Sequence, residues 1–533
     1  MQPNLTKTRC PVASTCPLPL LASTLRGPRQ GREKQPRQGE RDSKEQEREE
    51  EQEKQHARYD ILARLLETPP ADPDNVTVNG FIRSIRNQKQ RSFASIGDGS
   101  SLEPLQALFP PQLANSLSTG TAVRLTGSWR PSPHPTAQSH ELHVVGVDIL
   151  GFNDAATFPL QKKYHSPEFL RTIPHIRPRT PFNSALLRFR SQIIAELTRF
   201  FADKDFVQTH PPIITSSDCE GAGEVFSLET ADKDCVTEDS DGSFFRSPKY
   251  LTVSSQLHLE ALAQAVGNVW TLSPTFRAEK SDTARHLSEF YMLEVEVNFV
   301  EEMGEVMSLV EDMLRHLTQK LYTTRVGQEI LHGKRSGDQA DEAVKRTEEL
   351  ERRWKGMMNG AWPRITYSEA IQLLESQSQS FEHKPRWGKG LQAEHERFLS
   401  RTIGGGQPVF VTKYPKAIKP FYMLDSPKDA SQQTVECFDL LVPEVCEIAG
   451  GSMREHRLPQ LLSTMQHLGM VPPDPISAED LGSLKWYVDL RRWGSVPHGG
   501  FGLGFDRLLG YLSGVSNIRE IVTFPRWVGR CEC

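Results

Sequence analysis

Residues 268–299 read NVWTLSPTFRAEKSDTARHLSEFYMLEVEVNF. Apolar and polar residues alternate at both ends of this stretch, while its middle is polar and charged, so it predicts a strand, a polar loop and a second strand. Phe290 and Glu294 then share one face of the second strand, because side chains on a strand repeat every two residues. An amphipathic hairpin with surface ion pairs would account for Lys280 and Asp282, but less naturally for a phenylalanine beside carboxylates on one face.

Charged residues also lie where the first strand of this hairpin meets the loop. Arg277 and Glu279 are two residues apart, so we expect them to share a face of the incoming strand. The guanidinium of an arginine is a planar fork of donors that suits a phosphate. The hairpin is therefore a candidate for binding a phosphorylated ligand.

A second segment, residues 409–457, combines strand-like runs with carboxylates and glycines. Asp439 and Glu447 lie in these runs, and Gly450 and Gly451 follow them. Two carboxylates beside a triphosphate suit Mg²⁺, which usually takes one or two carboxylates together with phosphate oxygens. Glycines allow a ligand to approach the backbone closely. A glycine-rich turn beside unrelated acids explains the same spacing, and spacing alone does not decide between the two interpretations.

A third segment, HGGFGLGFDRLLGYLSGV (498–515), places several glycines before a helix that carries Arg507. The spacing is neither GxGxxG ahead of a βαβ unit nor GxxxxGK[ST], so it disfavours Rossmann and P-loop nucleotide sites. A flexible loop or tight helix packing is the structural alternative for the glycines.

Between Val76 and Gly151 the sequence consists of short alternating runs broken by Gly, Asn and Asp. Several short strands in so few residues predict a small barrel or sandwich, and a five-stranded OB-fold fits the length. Arg86 lies near Phe93 in this region, and cations beside an aromatic ring are what a single-stranded nucleic acid requires. A barrel with a basic edge and a core phenylalanine is the alternative.

Beyond a connector at residues 152–180, the chain predicts a large α+β domain over 181–533. Apolar residues at helical spacing predict a long helix there; they are Leu186, Phe189, Ile193, Leu197 and Phe200. The run FVQTHPPIIT (206–215) is expected at an edge or interface, since its two prolines cannot donate to a ladder. Residues 230–243 and 326–358 are expected to be insertions, the second ending in a charged helix.

The composition restricts the class of protein. The chain has 533 residues, 25% of them charged and 37% hydrophobic, with a formal net charge of −5 and eight cysteines. Its length allows two to four domains. No apolar run approaches the roughly 18 residues of a membrane span, which excludes membrane insertion. The cysteines are too few for a disulfide scaffold, and without a CxxC pair they do not suggest a zinc ribbon. Any nucleic-acid surface has to be local, because the chain as a whole is not basic.

The N-terminal residues 1–58 differ from the rest. Residues 1–32 contain five basic residues and no acidic one, with serines and threonines between them. This composition is typical of a mitochondrial transit peptide, although prolines interrupt any long amphipathic helix. A location in the mitochondrial matrix is therefore expected. The alternative is that the segment is a plain disordered tail and the protein is cytoplasmic. The mixed-charge run at 33–57 predicts a solvated helix or disordered linker.

Six stretches, taken in order, resemble the class II aminoacyl-tRNA synthetases of the aspartate, asparagine and lysine subgroup. They are LRTIPHIRPRT, PPIITSSDCEGAGEVF, TFRAEKSDTARHLSEF, VFVTKYPKAIKPFYM, EIAGGSMREHR and GGFGLGFDRLL. One such match could arise by chance, but six in the right order are specific. The resemblance covers residues 73–530 or so. Within the subgroup, the motifs are most similar to those of asparaginyl-tRNA synthetases of the bacterial or organellar type.

This resemblance implies an α+β protein with an OB-fold anticodon-binding barrel at residues 73–151 and a class II catalytic domain, an antiparallel sheet flanked by helices, at 181–533. It implies a homodimer, with the region of Pro212 in the interface. The implied ligands are ATP, Mg²⁺, L-asparagine and tRNA-Asn.

The resemblance also implies roles for individual residues. Arg277 and Arg507 are the implied catalytic residues, on the α- and γ-phosphates of ATP, and Phe290 is implied to stack on adenine. Glu279 and His286 resemble further ATP contacts. The residues implied to surround the amino acid are Glu220, Gln256, Glu294 and Arg454. Asp439 and Glu447 match the magnesium carboxylates, and Arg86, Phe93 and Gln106 match contacts to the middle anticodon base.

Two positions favour asparagine over aspartate as the substrate. Leu259 stands where bacterial-type aspartate enzymes carry a lysine, and Glu294 stands where they carry an aspartate. An asparagine site needs an acceptor for the amide NH₂. An ionised Glu294 would accept those protons and repel the carboxylate of aspartate. Asp506 departs from the asparagine pattern, which usually has Glu there, but both residues are carboxylates.

The implied reaction has two steps. The carboxylate of asparagine attacks the α-phosphate of ATP, and the terminal ribose of tRNA then attacks the activated carbonyl. Three alternatives stay open. One is an aspartyl-tRNA synthetase, discriminating or not. Another is a paralogue that makes asparagine by ammonia attack on aspartyl-adenylate, against which the anticodon-type barrel argues. The last is an inactive RNA-binding paralogue, against which the intact Arg277, Glu447 and Arg507 argue.

Overall fold

A computed structural model describes residues 61–68, 70–133, 138–216, 225–229, 244–335, 337–427, 433–473 and 476–533. The predicted transit peptide and charged extension (1–58), the predicted insertion at 230–243 and the candidate residue Glu220 lie outside these ranges. The interpretations placed on them therefore remain predictions from the sequence.

The first five strands form the closed barrel that the sequence predicts, in the order β1-β2-β3-β5-β4. They are β1 (Val76–Asn87), β2 (Ser92–Gly97), β3 (Leu105–Phe109), β4 (Ala122–Pro131) and β5 (His140–Gly151). Alternate residues such as Val76 and Val78 are fully buried. A short helix, α1 (Leu62–Glu67), adds Leu62 and Leu65 to this core. The barrel therefore has an apolar core of its own.

The connector at residues 152–180 is fastened to the C-terminal part of the chain. Arg177 is only 2% exposed. Its guanidinium donates to the carbonyl of Thr523 at 3.1 Å and to that of Arg519 at 3.2 Å. The connector is thus a tethered segment rather than a free linker.

The larger part of the chain, after the connector, is built on an eight-stranded sheet in the order β11-β12-β13-β14-β15-β10-β9-β6. Its strands are β6 (Val207–Gln208), β9 (Val269–Phe276), β10 (Glu289–Asn298), β11 (Arg364–Thr366), β12 (Val409–Thr412), β13 (Cys437–Val442), β14 (Cys446–Met453) and β15 (His498–Gly504). The pairs at its two ends, β11–β12 and β6–β9, are parallel, and the pairs between them are antiparallel. A separate pair joins β7 (Ile214–Thr215) to β8 (Tyr250–Leu251).

Two short helices lie outside this sheet: α2 (Pro111–Ala114) is at the barrel and α3 (Pro167–Arg171) is in the connector. The helices around the sheet are α4 (Pro181–Asp203), α5 (Gln256–Val266), α6 (Met303–Tyr322), α7 (Arg325–His332), α8 (Ala340–Met358), α9 (Tyr367–Ser376), α10 (Ala393–Thr402), α11 (Leu458–His467), α12 (Lys485–Arg492), α13 (Phe505–Ser513) and α14 (Ile518–Ile521). In the part of the chain that the structure describes, no helix combines the length and apolar character that a bilayer span requires.

One face of the central strands is apolar and is covered by helices. Leu293 and Val295 of β10 and Phe501 of β15 belong to the main hydrophobic core, together with side chains of α4, α6 and α8. Because side chains alternate along a strand, Glu294 and Glu296 face the opposite side of the sheet. The candidate site lies on that polar side.

The long helix predicted after the connector is α4, and its five predicted apolar positions are all buried. The strand that follows, β6, lies at the end of the sheet and is two residues long. Pro211 and Pro212 come shortly after it. This agrees with the expectation that the proline-containing run lies at an edge.

The segment 326–358, expected as an insertion, contributes directly to the main core. Its charged helix is α8, and none of the charged residues of this helix is fully buried. Leu350, Trp354 and Met357 form an apolar stripe at helical spacing and are fully buried. The high charge of the segment therefore masked its apolar face in the sequence.

Trp354→Ala is expected to lower the stability of the domain. The indole stacks on Phe189 with ring centroids 5.9 Å apart, and its Nε1 donates to the carbonyl of Leu512 at 2.8 Å. Truncating a buried aromatic side chain usually costs about 3–5 kcal/mol. Thermal unfolding should show a clearly lower Tm for this variant. Trp354→Phe keeps most of the ring and should lose much less; equal Tm values for Trp354→Ala and the wild type would contradict the role assigned to α8.

Candidate active site

The polar side of the sheet carries a groove with a carboxylate at each end. Strand register aligns Glu294 of β10 with Gly502 of β15, Gly502 with Gly450 of β14, and Gly450 with Asp439 of β13. Residues directly opposite one another on paired strands point to the same face. Three strand spacings of about 4.8 Å give the row a length of roughly 14 Å. Glu294 and Asp439 therefore face the same side, with two glycines between them.

The glycines keep the floor of the groove flat and the strands close. A Cβ on Gly500 would lie 2.1 Å from the carbonyl oxygen of Val295 and 2.2 Å from the Oε2 of Glu296. A Cβ on Gly502, in the row itself, would lie 2.7 Å from the terminal methyl of Met292. A side chain at Gly500 would therefore require movement of the strands, and one at Gly502 would have to displace Met292.

Next to this floor is a cavity of about 120 Å³. It brings together all five residues predicted to bind ATP and one of the two predicted metal ligands: Arg277, Glu279, His286, Phe290, Arg507 and Glu447. They come from the loop after β9, from β10, from β14 and from α13. The structure therefore assembles the predicted nucleotide site from segments far apart in the sequence.

Arg277 and Glu279 do not lie on a strand, contrary to the sequence expectation. Strand β9 ends at Phe276, and the two residues belong to the loop that follows. The Arg277 guanidinium lies 5.7 Å from the centroid of the Phe290 ring and 3.8 Å from the Glu279 carboxylate. The loop thus places a cation beside the ring, with a carboxylate within reach.

His286 lies in the same loop, and its Nε2 is 3.3 Å from the Oε2 of Glu279. Its Nδ1 is within hydrogen-bond distance of the hydroxyls of Ser281 and Thr283. Burial and the cations Arg507 and Arg277 lower the pKa of His286, while Glu279 opposes them. A neutral ring beside these arginines leaves their charges available to a phosphate.

At the far end of the groove, the two predicted metal ligands converge. A Cβ on Gly450 would lie 3.3 Å from the Oε1 of Glu447 and 3.4 Å from the Oδ1 of Asp439. Two hard carboxylates that reach the same point fit Mg²⁺ with phosphate oxygens as its other ligands. Arg507, on the neighbouring helix, donates to the Glu447 carbonyl at 3.0 Å.

Lys419 and Glu396 of α10 lie near this end and were not predicted as site residues. Lys419 donates to both oxygens of Asp439, at 3.0 and 3.1 Å, so Asp439 already has a cationic partner. Burial and the neighbouring Glu447 raise the pKa of Glu396 to about 7. Lys419 lay within a quoted motif, whereas nothing in the charged helix marked Glu396.

At the opposite end, Glu294 is 2% exposed and firmly held. Its carboxylate accepts the Ser254 hydroxyl at 2.5 Å and the Ser255 amide at 3.0 and 2.9 Å. Burial raises the pKa of Glu294 above its usual range, although these hydrogen bonds oppose the change. Neither serine was predicted as a site residue, although both precede Gln256 in the sequence SSQLHLE.

Leu259, which stands where the resemblance places a lysine in aspartate enzymes, does not line the cavity of about 120 Å³. It is fully buried in a small apolar cluster with Ala263 and Val269. A lysine at this position would introduce a charge into that cluster. The position therefore excludes a cation but is not itself a ligand in this structure.

Beside Glu294, Arg454 is held by Glu296, Gln256 and the hydroxyl of Ser452. Its Nη2 lies 3.1 Å from the Oε2 of Glu296, and it donates to the Gln256 amide oxygen at 2.5 Å. The Gln256 NH₂ in turn donates to Glu296 at 3.0 Å. All three side chains are buried. The structure thus joins two predicted amino-acid ligands, Gln256 and Arg454, through a carboxylate.

This group continues into a second, deeper ion pair. Glu260 accepts from Arg491, and both side chains have no exposed surface. It also accepts from the Tyr487 hydroxyl at 2.9 Å. Burial would raise the pKa of Glu260, but Arg491 and His498 hold it well below its usual range. Since Arg454 and Arg491 already neutralise the two carboxylates, the cluster does not need a metal ion.

His498 completes the cluster. Its Nδ1 lies 2.7 Å from the Val496 carbonyl and its Nε2 lies 3.0 Å from the Oε2 of Glu260. Both neighbours are acceptors, so each ring nitrogen of His498 faces an oxygen atom. We refer to Glu260, Glu296, Arg454, Arg491 and His498 as the buried charge cluster.

Asp506, the residue that departs from the asparagine pattern, is 1% exposed. It forms an ion pair with Arg190 of α4 and accepts the Tyr291 amide at 2.8 Å. Its role in this structure is to join α13 to α4 and to β10, and a longer glutamate there would require these partners to shift.

The three residues predicted to contact the anticodon lie on one outer face of the barrel. Arg86 is paired with Phe93, and Gln106 is paired with Ser95. Arg86 is exposed, and Phe93 and Gln106 are half-buried. The interpretation of Phe93 as a core residue is not supported, because its strand neighbours, not its own ring, fill the interior.

Glu141 of β5, which the sequence did not point to, orients this face. It is 2% exposed and accepts from the Gln106 amide at 2.9 Å. Its other oxygen lies 3.0 Å from the Nε2 of His143. Glu141 therefore fixes which way the amide of Gln106 points.

Comparison with known proteins adds to this geometry. A family model described as class II tRNA synthetases (D, K and N) matches residues 166–528. An asparagine–tRNA ligase of Desulfotalea psychrophila is 41% identical over 469 residues, which are 87% of this chain and 97% of that protein. A mitochondrial asparagine–tRNA ligase of Saccharomyces cerevisiae is 40% identical and is covered over 92% of its length by 85% of this chain.

The chain is also similar to a solved structure of a synthetase. A crystal structure of asparaginyl-tRNA synthetase from Pyrococcus horikoshii, complexed with asparaginyl-adenylate, matches with a TM-score of 0.72 and 28% identity. The match covers 89% of this chain and 99% of that one.

Glu396→Gln is expected to stabilise the protein at pH 8 but hardly at pH 5. Because the pKa of Glu396 rises from 4.5 to about 7 on folding, the folded protein holds a proton that the unfolded chain releases. Stability therefore falls as the pH rises through that window, by roughly 3 kcal/mol in total. Tm values at both pH values, measured without divalent cations, test this.

Glu394→Gln on the same helix is the matched control with the opposite sign. Backbone hydrogen bonds from His383 and Glu382 hold the pKa of Glu394 below its usual value, so removing its charge should lower the Tm at pH 8. A Glu396→Gln protein whose Tm changes equally at both pH values would show that this carboxylate is ionised throughout.

Proposed function

The chain belongs to the family of class II tRNA synthetases (D, K and N), and we propose that it is the asparagine–tRNA ligase of this family, serving mitochondrial translation. It activates L-asparagine with ATP and transfers it to tRNA-Asn. The relatives named above are asparagine–tRNA ligases over nearly their full lengths. The groove supports the same conclusion through its own chemistry.

The observation that carries the choice of asparagine is the buried Glu294. Its oxygens are fixed by Ser254 and Ser255 at the end of the groove opposite the metal carboxylates. A carboxylate has about four lone-pair sites, so it can accept amide protons in addition to these bonds. It would repel the carboxylate of aspartate. Because like charges buried together are costly, such an arrangement discriminates well between the two amino acids.

The activation step needs no nucleophile from the protein. The asparagine carboxylate forms a bond to the α-phosphorus, and pyrophosphate leaves. In our proposal Arg277 binds the α-phosphate, where negative charge increases during the attack, and Phe290 stacks on adenine. Their separation of 5.7 Å places the cation and the ring on one wall of the cavity. Preorganised donors of this kind stabilise the transition state electrostatically.

The other end of ATP is assigned to Arg507, which would bind the γ-phosphate, and to Asp439 and Glu447, which would hold Mg²⁺. Bound there, the ion would neutralise charge on the phosphates. Lys419 and Arg507 supply fixed positive charge in the same region. Glu279 and His286 are assigned to further ATP contacts in the loop after β9.

Gln256 and Arg454 are assigned to the amino acid itself. The buried charge cluster supports this, because it holds the Arg454 guanidinium with Glu296 and the amide of Gln256. Glu220, outside the described residues, is assigned near the α-amino group on its motif alone. Transfer then occurs when a ribose hydroxyl at the end of the tRNA attacks the carbonyl and AMP leaves.

Recognition of the tRNA is assigned to the barrel face of Arg86, Phe93 and Gln106, the last oriented by Glu141. A half-buried ring between polar groups suits an unstacked base, with Arg86 near the phosphates. The face would read the middle anticodon base.

Location and assembly are further parts of the proposal. Five basic residues without an acid in residues 1–32 support import into mitochondria, and similar enzymes of Saccharomyces cerevisiae and Schizosaccharomyces pombe are named mitochondrial. Ile213 and Ile214, beside Pro212, are 37% and 41% exposed. Such apolar exposure at a sheet edge supports a homodimer contact there.

The central test is pyrophosphate exchange with asparagine and with aspartate. The wild type should prefer asparagine strongly in kcat/KM. Glu294→Gln should lose most asparagine activation and most of the preference, because the amide keeps an acceptor but loses the charge that repels aspartate. Glu289→Gln, an exposed glutamate on the same strand, should behave as the wild type. An unchanged ratio in Glu294→Gln would remove Glu294 as the selector, and exchange with aspartate alone would overturn the asparagine assignment.

Phe93→Ala should weaken tRNA-Asn binding without affecting activation. One base stack is worth about 1–3 kcal/mol, which corresponds to a 5- to 150-fold weaker Kd, measured by filter binding. Pyrophosphate exchange needs no tRNA and should be retained. Phe152→Ala removes an aromatic ring that is 84% exposed at the end of the same barrel and serves as the control. Equal losses of binding and exchange in Phe93→Ala would mean that the ring is structural.

A further inference from the structure

A second cavity, apart from the groove, is a space of about 800 Å³ between the barrel and the catalytic domain. Its walls come from β1, from the connector, from the first turn of α4 and from the segment after α7, and it shares no lining residue with the nucleotide cavity. Its size is that of a site for a small organic ligand. The proposed reaction makes no use of it.

Its walls carry positive charge that the protein does not neutralise. Seven lysine and arginine side chains line it, against two acids, Asp338 and Glu520. Both acids pair instead with arginines outside the cavity, Arg346 and Arg171. Within the described residues, none of the seven cations has a carboxylate within 4.0 Å. Such a surface attracts an anion.

Two of these cations, Arg177 and Arg335, are partly or wholly buried. Arg177 meets only backbone carbonyls, and Arg335 donates to the carbonyl of Ser513. Burial lowers the pKa of Arg177 to about 10 and that of Arg335 to about 9, the latter with a contribution from Arg346. The Nε of Arg335 has no hydrogen-bond partner in the described chain. The protein therefore holds these charges at a cost that an anion would relieve.

The first turn of α4 adds donors to the same wall. Its N-cap, Thr180, makes no capping hydrogen bond to the helix, since its hydroxyl donates to the Arg177 carbonyl. The amides of Phe182 and Asn183 at the start of the helix lack intrahelical acceptors, and both residues line the cavity. A free helix N-terminus favours phosphate.

Aromatic rings lie beside these cations. The Arg179 guanidinium is 5.1 Å from the centroid of Phe81, and that of Arg335 is 4.1 Å from the centroid of Phe182. Phe81 and Tyr164 are 41% and 56% exposed. Stacking rings next to arginines are the chemistry that binds a base together with its phosphate.

We propose that this cavity is a second nucleotide-binding site, in which Arg335 and the first turn of α4 hold a phosphate and the ring of Phe81 packs against the base. The nucleotide is either a free one or a nucleotide of the bound tRNA, since both present the same groups. The site is separate from the groove and does not take part in the activation step.

Equilibrium dialysis with radiolabelled ATP and Mg²⁺ tests for the free nucleotide. The wild type should bind two ATP per chain. Arg335→Gln should bind one ATP per chain and keep the wild-type rate of pyrophosphate exchange. Arg507→Ala should lose exchange but still bind ATP in the cavity between the barrel and the catalytic domain. Arg179→Gln, at an exposed position, gives a second variant in case Arg335→Gln is unstable, and Lys345→Gln, exposed on α8 outside the cavity, is the control.

Filter binding of tRNA-Asn distinguishes the other source. If the wild type binds one ATP per chain but Arg335→Gln or Arg179→Gln weakens tRNA binding about tenfold, with exchange unchanged, the nucleotide belongs to the tRNA. If the wild type binds a single ATP and both variants bind tRNA with the wild-type Kd, the cavity is not a nucleotide site and the proposal is wrong.

Discussion

The mutual neutralisation of the buried charge cluster is the interaction on which the rest of the groove depends. Two carboxylates, two guanidiniums and an imidazole meet there without solvent, and they come from five different places in the fold: α5, β10, the residue that follows β14, α12 and β15. Each charge could be buried only because the others are present, and removing one partner of such a group is usually far more costly than the net stabilisation that the group provides. The cluster therefore acts less as a source of stability than as a device that sets the relative positions of these elements. The positions of the Gln256 and Arg454 side chains are fixed by these same contacts.

The two ends of the groove differ in their density of negative charge. At one end, a single carboxylate, Glu294, is surrounded by hydroxyl and amide donors. At the other end, Asp439, Glu447 and Glu396 are close enough for burial and mutual repulsion to raise the pKa of Glu396, and Lys419 neutralises only part of this charge. Such an end disfavours a bare triphosphate and favours one accompanied by a divalent cation. The flat row of glycines between the ends lets one extended molecule meet both environments.

Much of this could be predicted from the sequence, for identifiable reasons. The hairpin of β9 and β10, the apolar face of α4 and the five-stranded barrel follow from local periodicity, and the candidate site residues were proposed from short motifs. What could not be predicted depends on contacts between distant segments. Arg277 was expected on a strand because its spacing fits one, yet the strand ends one residue earlier. The roles of Lys419, Glu396 and Ser254 follow only from the residues that they contact in the folded protein. Helix α8 has the composition of a surface segment, because its charged residues outnumber its three large buried apolar side chains.

The glycines of the floor have a consequence for efforts to change which amino acid the groove accepts. At Gly500 a single added carbon would collide with the backbone of β10 and with the carboxylate of Glu296, and at Gly502 it would collide with Met292, so a side chain introduced into the floor has to displace a strand or a neighbouring residue. The wall formed by Ser254 and Ser255, with the Glu294 carboxylate that they hold, is free of this constraint. Laboratory evolution toward a different amino acid would therefore have to reshape the wall of the groove while leaving its floor untouched.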